Sequence, residues 1–251
     1  MFVIVGATND DVLYFERALY NPREEIIFNS YKASIGTYFN QEVLVIGDMY
    51  SSILTSAVLT YILNKYYVDL VITVGKCYGV YKQTKNGDIV ISNKIIDVNV
   101  DLSTVKEVGI GEIPGFQKEF PVQPDIIKYL KQGVAKRAYV SSYNAVYLSS
   151  ENLSEQNKKM LSENRTLFGI TDERIVVDYN SSGSAIAAVL RNVPFVSIKV
   201  VENKFDVESK IGHYLDVLDR YIDLGKAVIS TIGDIGRNDV LRGGVGNEYK
   251  E

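Results

Sequence analysis

Residues 69 to 75, DLVITVG, form a nearly unbroken apolar run after Asp69, with one small polar interruption at Thr73. A strand of this kind is covered on both faces, which requires a sheet with packed layers on either side. Its neighbours repeat the theme. Short β-rich runs alternate with longer stretches of helical spacing, the rhythm of an α/β domain.

Phe2 to Val5 reads as a first strand closed by Gly6, EEIIF (24–28) as a second, and Val43 to Ile46 as a third. After GDMYSS, Leu54, Val58, Leu59, Ile62 and Leu63 recur at helical spacing, with Ser51 or Ser52 as the cap. DIVISN (88–93) is a further strand, approached through a tight turn at Asn86-Gly87. Residues 99 to 124 are loop-rich, and a helix runs from about Pro124 to Gly133. RAYV (137–140) and AVYL (145–148) are strand-like, and LSEQNKKMLSEN (153–164) is helical. RIVVDY and FVSIKVV are strands joined by the SAIAAVL helix, and a last helix covers about Val207 to Val228 with His213 inside it. The expected organisation is one domain over residues 1–232 and a flexible, glycine-rich tail over 233–251.

Composition narrows the chemistry. The formal net charge of -4 argues against nucleic acid or an anionic membrane as the main partner. A single cysteine, Cys77, cannot form an internal disulfide, and with one histidine there is no histidine/thiolate set for zinc. MFVIVG has no basic leader and reads as a strand, and no apolar stretch approaches the roughly 18 to 20 residues that span a bilayer. A cytoplasmic location is the expectation.

Ligands of open α/β sheets gather beyond the carboxyl ends of strands. The polar or glycine-rich ends here are VGATNDD (5–11), IGDMYSS (46–52), TVGKCYG (73–79), VDYNSSG (177–183) and KVVENKFD (199–206). None has the glycine spacing of a dinucleotide fingerprint or a P-loop.

Three motifs, GDIVISN (87–93), VNVDLS (98–103) and GEIPG (111–115), follow in the order of the nucleoside phosphorylase/nucleosidase superfamily. IVGATNDDV (4–12) and VVDYNSSGSAIAAVLRNVPFVSIKVVEN (176–203) extend the likeness over residues 2 to about 206. The chain most resembles bacterial methylthioadenosine/S-adenosylhomocysteine nucleosidases. That resemblance implies a nucleoside phosphorylase-like three-layer α/β fold, with a central twisted mixed sheet flanked by helices. It implies hydrolysis of the N-glycosidic bond of a purine nucleoside, no cofactor, and a homodimer or larger homo-oligomer.

The same resemblance assigns residues. The water-activating glutamate falls on Asp11, one methylene shorter, although an Asp here also suits a helix cap. The ribose-binding glutamate falls on Asn180, after Tyr179 in place of a methionine. The proton-donating aspartate falls on Asn203, after Glu202 in place of a serine. Amides donate and accept hydrogen bonds but supply no acidic proton near neutral pH. Asp178 shares strand parity with Asn180 and is the candidate to restore a carboxylate; Glu202 has the opposite parity to Asn203. Gly6 and Gly75 let backbone approach the ligand.

Thr73 stands at the arginine with which the superfamily's phosphorylases clamp phosphate, whereas Lys76 replaces a serine and offers a cation. Lys199 stands where an arginine often sits. SSENLS (149–154) lacks the phenylalanine that stacks on the purine, leaving Tyr147, Tyr179 or Phe205 for that role. Three readings follow: a nucleoside hydrolase with an altered acid set, a phosphorylase that uses Lys76, and an inactive nucleoside-binding or scaffolding protein.

Overall fold

The computed structural model describes residues 1–80, 84–100, 102, 108–112, 114–137, 142–150, 174–204 and 212–238. Residues 137, 203, 204, 212–216 and 238 are described by their backbone alone. Eleven described strands form one mixed sheet in the order β2-β3-β4-β1-β5-β11-β6-β10-β9-β7-β8.

The strands are β1 (Phe2–Gly6), β2 (Tyr20–Ile27), β3 (Tyr31–Tyr38), β4 (Gln41–Ile46), β5 (Leu70–Val74), β6 (Lys76–Gly79), β7 (Ile89–Asp97), β8 (Glu119–Pro121), β9 (Ser142–Ser149), β10 (Arg174–Asp178) and β11 (Phe195–Lys204). The helices are α1 (Leu13–Ala18), α2 (Ser52–Lys65), α3 (Pro124–Arg137), α4 (Ser181–Leu190) and α5 (Gly212–Asn238). They flank the sheet in packed groups, α2 against α4, and α1 and α3 against α5. Among the described residues no helix is long and apolar enough to cross a membrane.

β11 shapes the whole sheet. Its first residues pair in parallel with β5, and Val200 to Lys204 pair in parallel with β6. Between them, Ile198 to Val200 pair antiparallel with β7. Because β6 continues through β10 and β9 to β7, this last pairing closes a ring of five strands beside an open wing. β5 lies in the wing between β1 and β11, and all five of its residues are buried, as its apolar run requires.

In the ring the alternation of strands separates two sets of side chains. Ala145, Tyr147 and Val176 join the main core, whereas Val146, Leu148, Ile175 and Val177 form a second cluster with Ile96. Asp178 has the parity of Val176. Ser51 caps α2 by accepting from the Leu54 N–H at 3.1 Å. Gly87 supplies the expected turn with φ of +83°.

Three expectations change. β3 and β8 lie in segments without a clear strand pattern. The residues of RAYV divide, since Arg137 ends α3 and 138–140 lie outside the described residues, as does the expected helix over 153–164. The domain boundary at 232 falls inside α5, which continues to Asn238. Gly233 lies against Phe39 and Gly236 against Gln41, and Ile235 is buried, so 233–238 belong to the packed fold.

Candidate functional site

The ends of β1, β5 and β10 and the middle of β11 bring the candidate residues around one lysine. At the end of β1, a Cβ on Gly6 would lie 2.7 Å from Val12 Cγ1 and 2.9 Å from Asp11 Cβ. The bare backbone lets the chain fold back at this point. Asp11 thereby comes to rest on Gly75, whose φ is +130° and whose Cβ would lie 3.0 Å from the carboxylate. A left-handed φ and a carboxylate closer than ordinary van der Waals contact both favour glycine there.

Asp11 is almost fully buried. Its Oδ2 accepts from the Thr8 N–H at 3.0 Å, and its own N–H donates to Thr8 Oγ1 at 3.1 Å. The Asp11 carbonyl accepts from the Tyr221 hydroxyl. The N-cap of α1 is Val12, with no side-chain cap bond, so the Asp11 carboxylate does not cap the helix. Burial raises its pKa above the ordinary value, while Lys199, the Thr8 N–H and, more weakly, Lys76 oppose the rise.

Lys199 is 1% exposed, an unusual place for an ammonium group, and its partners explain it. Nζ lies 2.5 Å from Asp178 Oδ2 and donates to Asn180 Oδ1 at 2.8 Å. Asp178 and Asn180 do face the same way, as their parity predicts. Yet Asp178 is engaged throughout. It accepts from Ser149 Oγ at 2.8 Å, from the Ser181 hydroxyl and from the Ser181 N–H at 3.3 Å. Such a carboxylate holds a buried cation and the start of α4.

Serines extend this polar layer. Ser182 accepts nothing from the Asn180 side chain but donates through its N–H to Ser149 Oγ at 2.8 Å and through Oγ to Asp97 at 3.0 Å. Ser52 Oγ lies 2.6 Å from Ser182 Oγ and donates to the Tyr179 carbonyl at 3.1 Å. This network ties α2, α4 and the ends of β7, β9 and β10 together.

The remaining candidates sort by position. Lys76 pairs with Glu202 at 3.2 Å, with both side chains about one-third exposed at 34% and 31%. Thr73 is buried, and its hydroxyl has no partner among the described residues. Tyr179 is half-buried and meets Tyr78 edge to face, with centroids 6.2 Å apart. Tyr147 is wholly buried and donates to the Val90 carbonyl at 2.8 Å, which makes it core and removes it as a stacking platform. Asn203 follows a bulge in β11 and sits in register with Tyr78, while its side chain, Phe205 and residues 151–154 lie outside the described residues.

Lys199 is the participant that the sequence reading used least. The signal was present as a lone cation inside the apolar run FVSIKVV. A charge in such a run needs a buried partner.

The fold and site define an α/β protein with a buried, charged cluster at the carboxyl ends of its parallel strands. Residues 2–232 match the profile of the Phosphorylase superfamily, and the chain belongs to that family. It is 26% identical over 210 residues to the 5'-methylthioadenosine/S-adenosylhomocysteine nucleosidase of Buchnera aphidicola subsp. Acyrthosiphon pisum (strain APS), covering 83% of this chain and 87% of that protein. The nucleosidase of Neisseria meningitidis in complex with methylthio-immucillin-A superposes with a TM-score of 0.81 at 17% identity, over 93% of this chain and 98% of that one. A Helicobacter pylori nucleosidase with one aspartate changed to asparagine, holding 5'-methylthioadenosine in its active site, superposes with a TM-score of 0.80 at 16% identity, over 93% and 98% of the two chains.

Proposed function

We propose that this chain hydrolyses the N-glycosidic bond of purine nucleosides of the methylthioadenosine and S-adenosylhomocysteine type. Asp11 carries the proposal. It is a buried carboxylate raised in pKa by desolvation, fixed by Thr8 and laid against a glycine at the end of a central strand. A base placed in this way orients and deprotonates a water. The ribosyl carbon becomes cationic as the bond to the base breaks, and the ionised Asp11 also favours that charge. The names of the relatives support the substrate class.

In this reading Asn180 meets the sugar and Asn203 meets the departing base as a hydrogen-bond donor, with the proton for the base supplied by solvent. Tyr179, Gly6 and Gly75 line the approach. Asp178 holds Lys199. Water is favoured over phosphate as the nucleophile because Thr73 is neutral and buried and the charge of Lys76 is matched by Glu202. A homo-oligomer in the cytoplasm is the setting that fits the family resemblance.

One observation favours a second reading, binding without cleavage. The amide of Asn180 brings no negative charge to the sugar, and Asn203 has no acidic proton. The Helicobacter pylori asparagine variant, with its nucleoside in place, is in keeping with that outcome.

Release of adenine from methylthioadenosine and S-adenosylhomocysteine, with and without phosphate, tests both. Release without phosphate, reduced about 100-fold or more in Asp11→Ala, is expected for the hydrolase. Release that needs phosphate would return the weight to Lys76 and a phosphorylase. Nucleoside binding with no release would leave the second reading standing alone.

A further inference from the structure

Lys199 settles the orientation of the Asn180 amide. An ammonium group only donates hydrogen bonds, so the Asn180 atom 2.8 Å from Nζ must be the oxygen. The ammonium is in turn held by Asp178 at 2.5 Å and cannot swing away without leaving a buried carboxylate unpaired. Nδ2 therefore points elsewhere, and its two N–H groups have no partner among the described residues although Asn180 is wholly buried. Buried donors of that kind are normally satisfied. Asn180 sits at the carboxyl end of β10, and the Lys199 charge that fixes it is also felt by Asp11.

We propose that Lys199 is a positioning residue that makes Asn180 a hydrogen-bond donor toward the ligand, so that the sugar bound there must bring an acceptor. The inference rests on the nucleoside reading above and adds the polarity of the sugar site. A carboxylate at position 180 would accept from a ribose hydroxyl; the locked amide donates to the hydroxyl oxygen. A ribose hydroxyl satisfies both, which is why ribosyl ligands alone do not distinguish them. Fluorine does, because it has lone pairs and no proton.

The test measures dissociation constants by calorimetry for methylthioadenosine and for its analogues with hydrogen or fluorine in place of the 2'- or 3'-hydroxyl. In the unmodified protein, loss of one of these hydroxyls is expected to weaken binding about tenfold, the ordinary worth of one buried hydrogen bond. At that position the fluoro analogue should bind more tightly than the deoxy analogue. Lys199→Gln offers its amide N–H to Asp178 and its oxygen to Asn180, which turns the Asn180 amide over and should reverse the fluoro/deoxy order. Lys199→Arg is again a pure donor and should restore the original order. If Lys199→Gln does not fold, Asn180→Asp presents an acceptor directly and should give the same reversal.

Three results would overturn the inference while leaving the nucleoside reading intact. They are fluoro analogues weaker than deoxy analogues at both positions in the unmodified protein, less than threefold loss on removing either hydroxyl, or an unchanged order in folded Lys199→Gln or Asn180→Asp. A folded protein that binds no methylthioadenosine would take down both.

Discussion

At the scale of single residues, Asp11 has two opposed consequences. Its folded-state pKa is raised by burial, so the native state binds its proton more tightly than the unfolded chain does. Its contribution to stability is therefore full below the unfolded value near 3.8 and is lost as pH rises through the higher folded value. Asp11→Asn should accordingly raise the melting temperature at pH 7, by about 2–4 °C for each kcal/mol recovered, with no gain below pH 3. The same substitution should lower turnover about 100-fold or more, and turnover in the unmodified protein should rise with pH through the raised pKa, because the base acts ionised. Melting curves and rates taken across pH 3 to 8 check both signs. Lys199 gives the complementary case. Lys199→Met strands the Asp178 carboxylate and should cost about 3–5 kcal/mol, whereas the double variant with Asp178→Leu should recover most of it, as urea denaturation would show. The strand-end positions of Asp11, Asp178 and Asn180 were legible in the sequence. The Lys199 cluster was not, because it joins β10 to β11, strands that are separated by β6 and approach only when the ring closes.

Among the elements, those covered on both faces were the easiest to read. β5 and β7 announce themselves as apolar runs and α2 by its spacing, since for these the hydrophobic pattern decides the structure. β2 was only partly read: it is largely exposed, contains Pro22, and is held by pairing with β3 more than by burial. Pairing of that kind leaves little trace in composition. The contact between α2 and α4 is another feature invisible before folding. A Cβ on Gly183 would collide with the Ser52 carbonyl, so the two helices meet backbone to backbone with no room between them. Gly183→Ala should force them apart at a cost of about 1–3 kcal/mol and should weaken nucleoside binding, because Asn180 opens α4. A thermal shift together with a binding isotherm would separate this from a surface substitution in the same helix, such as Leu190→Ala, which should change neither by much.

For the whole molecule, the question is what holds the open wing and the closed ring in one arrangement. β11 belongs to both, but a single strand shared between two parts of the sheet leaves the angle between them to whatever packs across it. α5 does so. It touches β11, β3, β4, α3 and α1, with Gly133 against Thr231, Gly225 against Tyr14 and Gly233 against Phe39. Tyr221 of the same helix reaches the Asp11 carbonyl, so the strap that joins the halves also bears on the proposed base. The last two turns matter in this respect, since Ile235 is buried at 2% and Gly236 packs on Gln41 at the start of β4. A chain ending at Ile232 should be less stable than one ending at Asn238 by about 2–3 kcal/mol, roughly the worth of one fully buried isoleucine with its neighbouring contacts. Because those contacts and the Tyr221 bond to Asp11 both tie α5 to the wing, the shorter chain should also lose turnover at temperatures well below its melting point. Denaturation curves and rates for the two truncated chains, measured side by side, distinguish this coupling from simple fraying. A stability loss with unchanged turnover would confine the end of α5 to packing, and equal behaviour of both chains would remove it from the structural argument altogether.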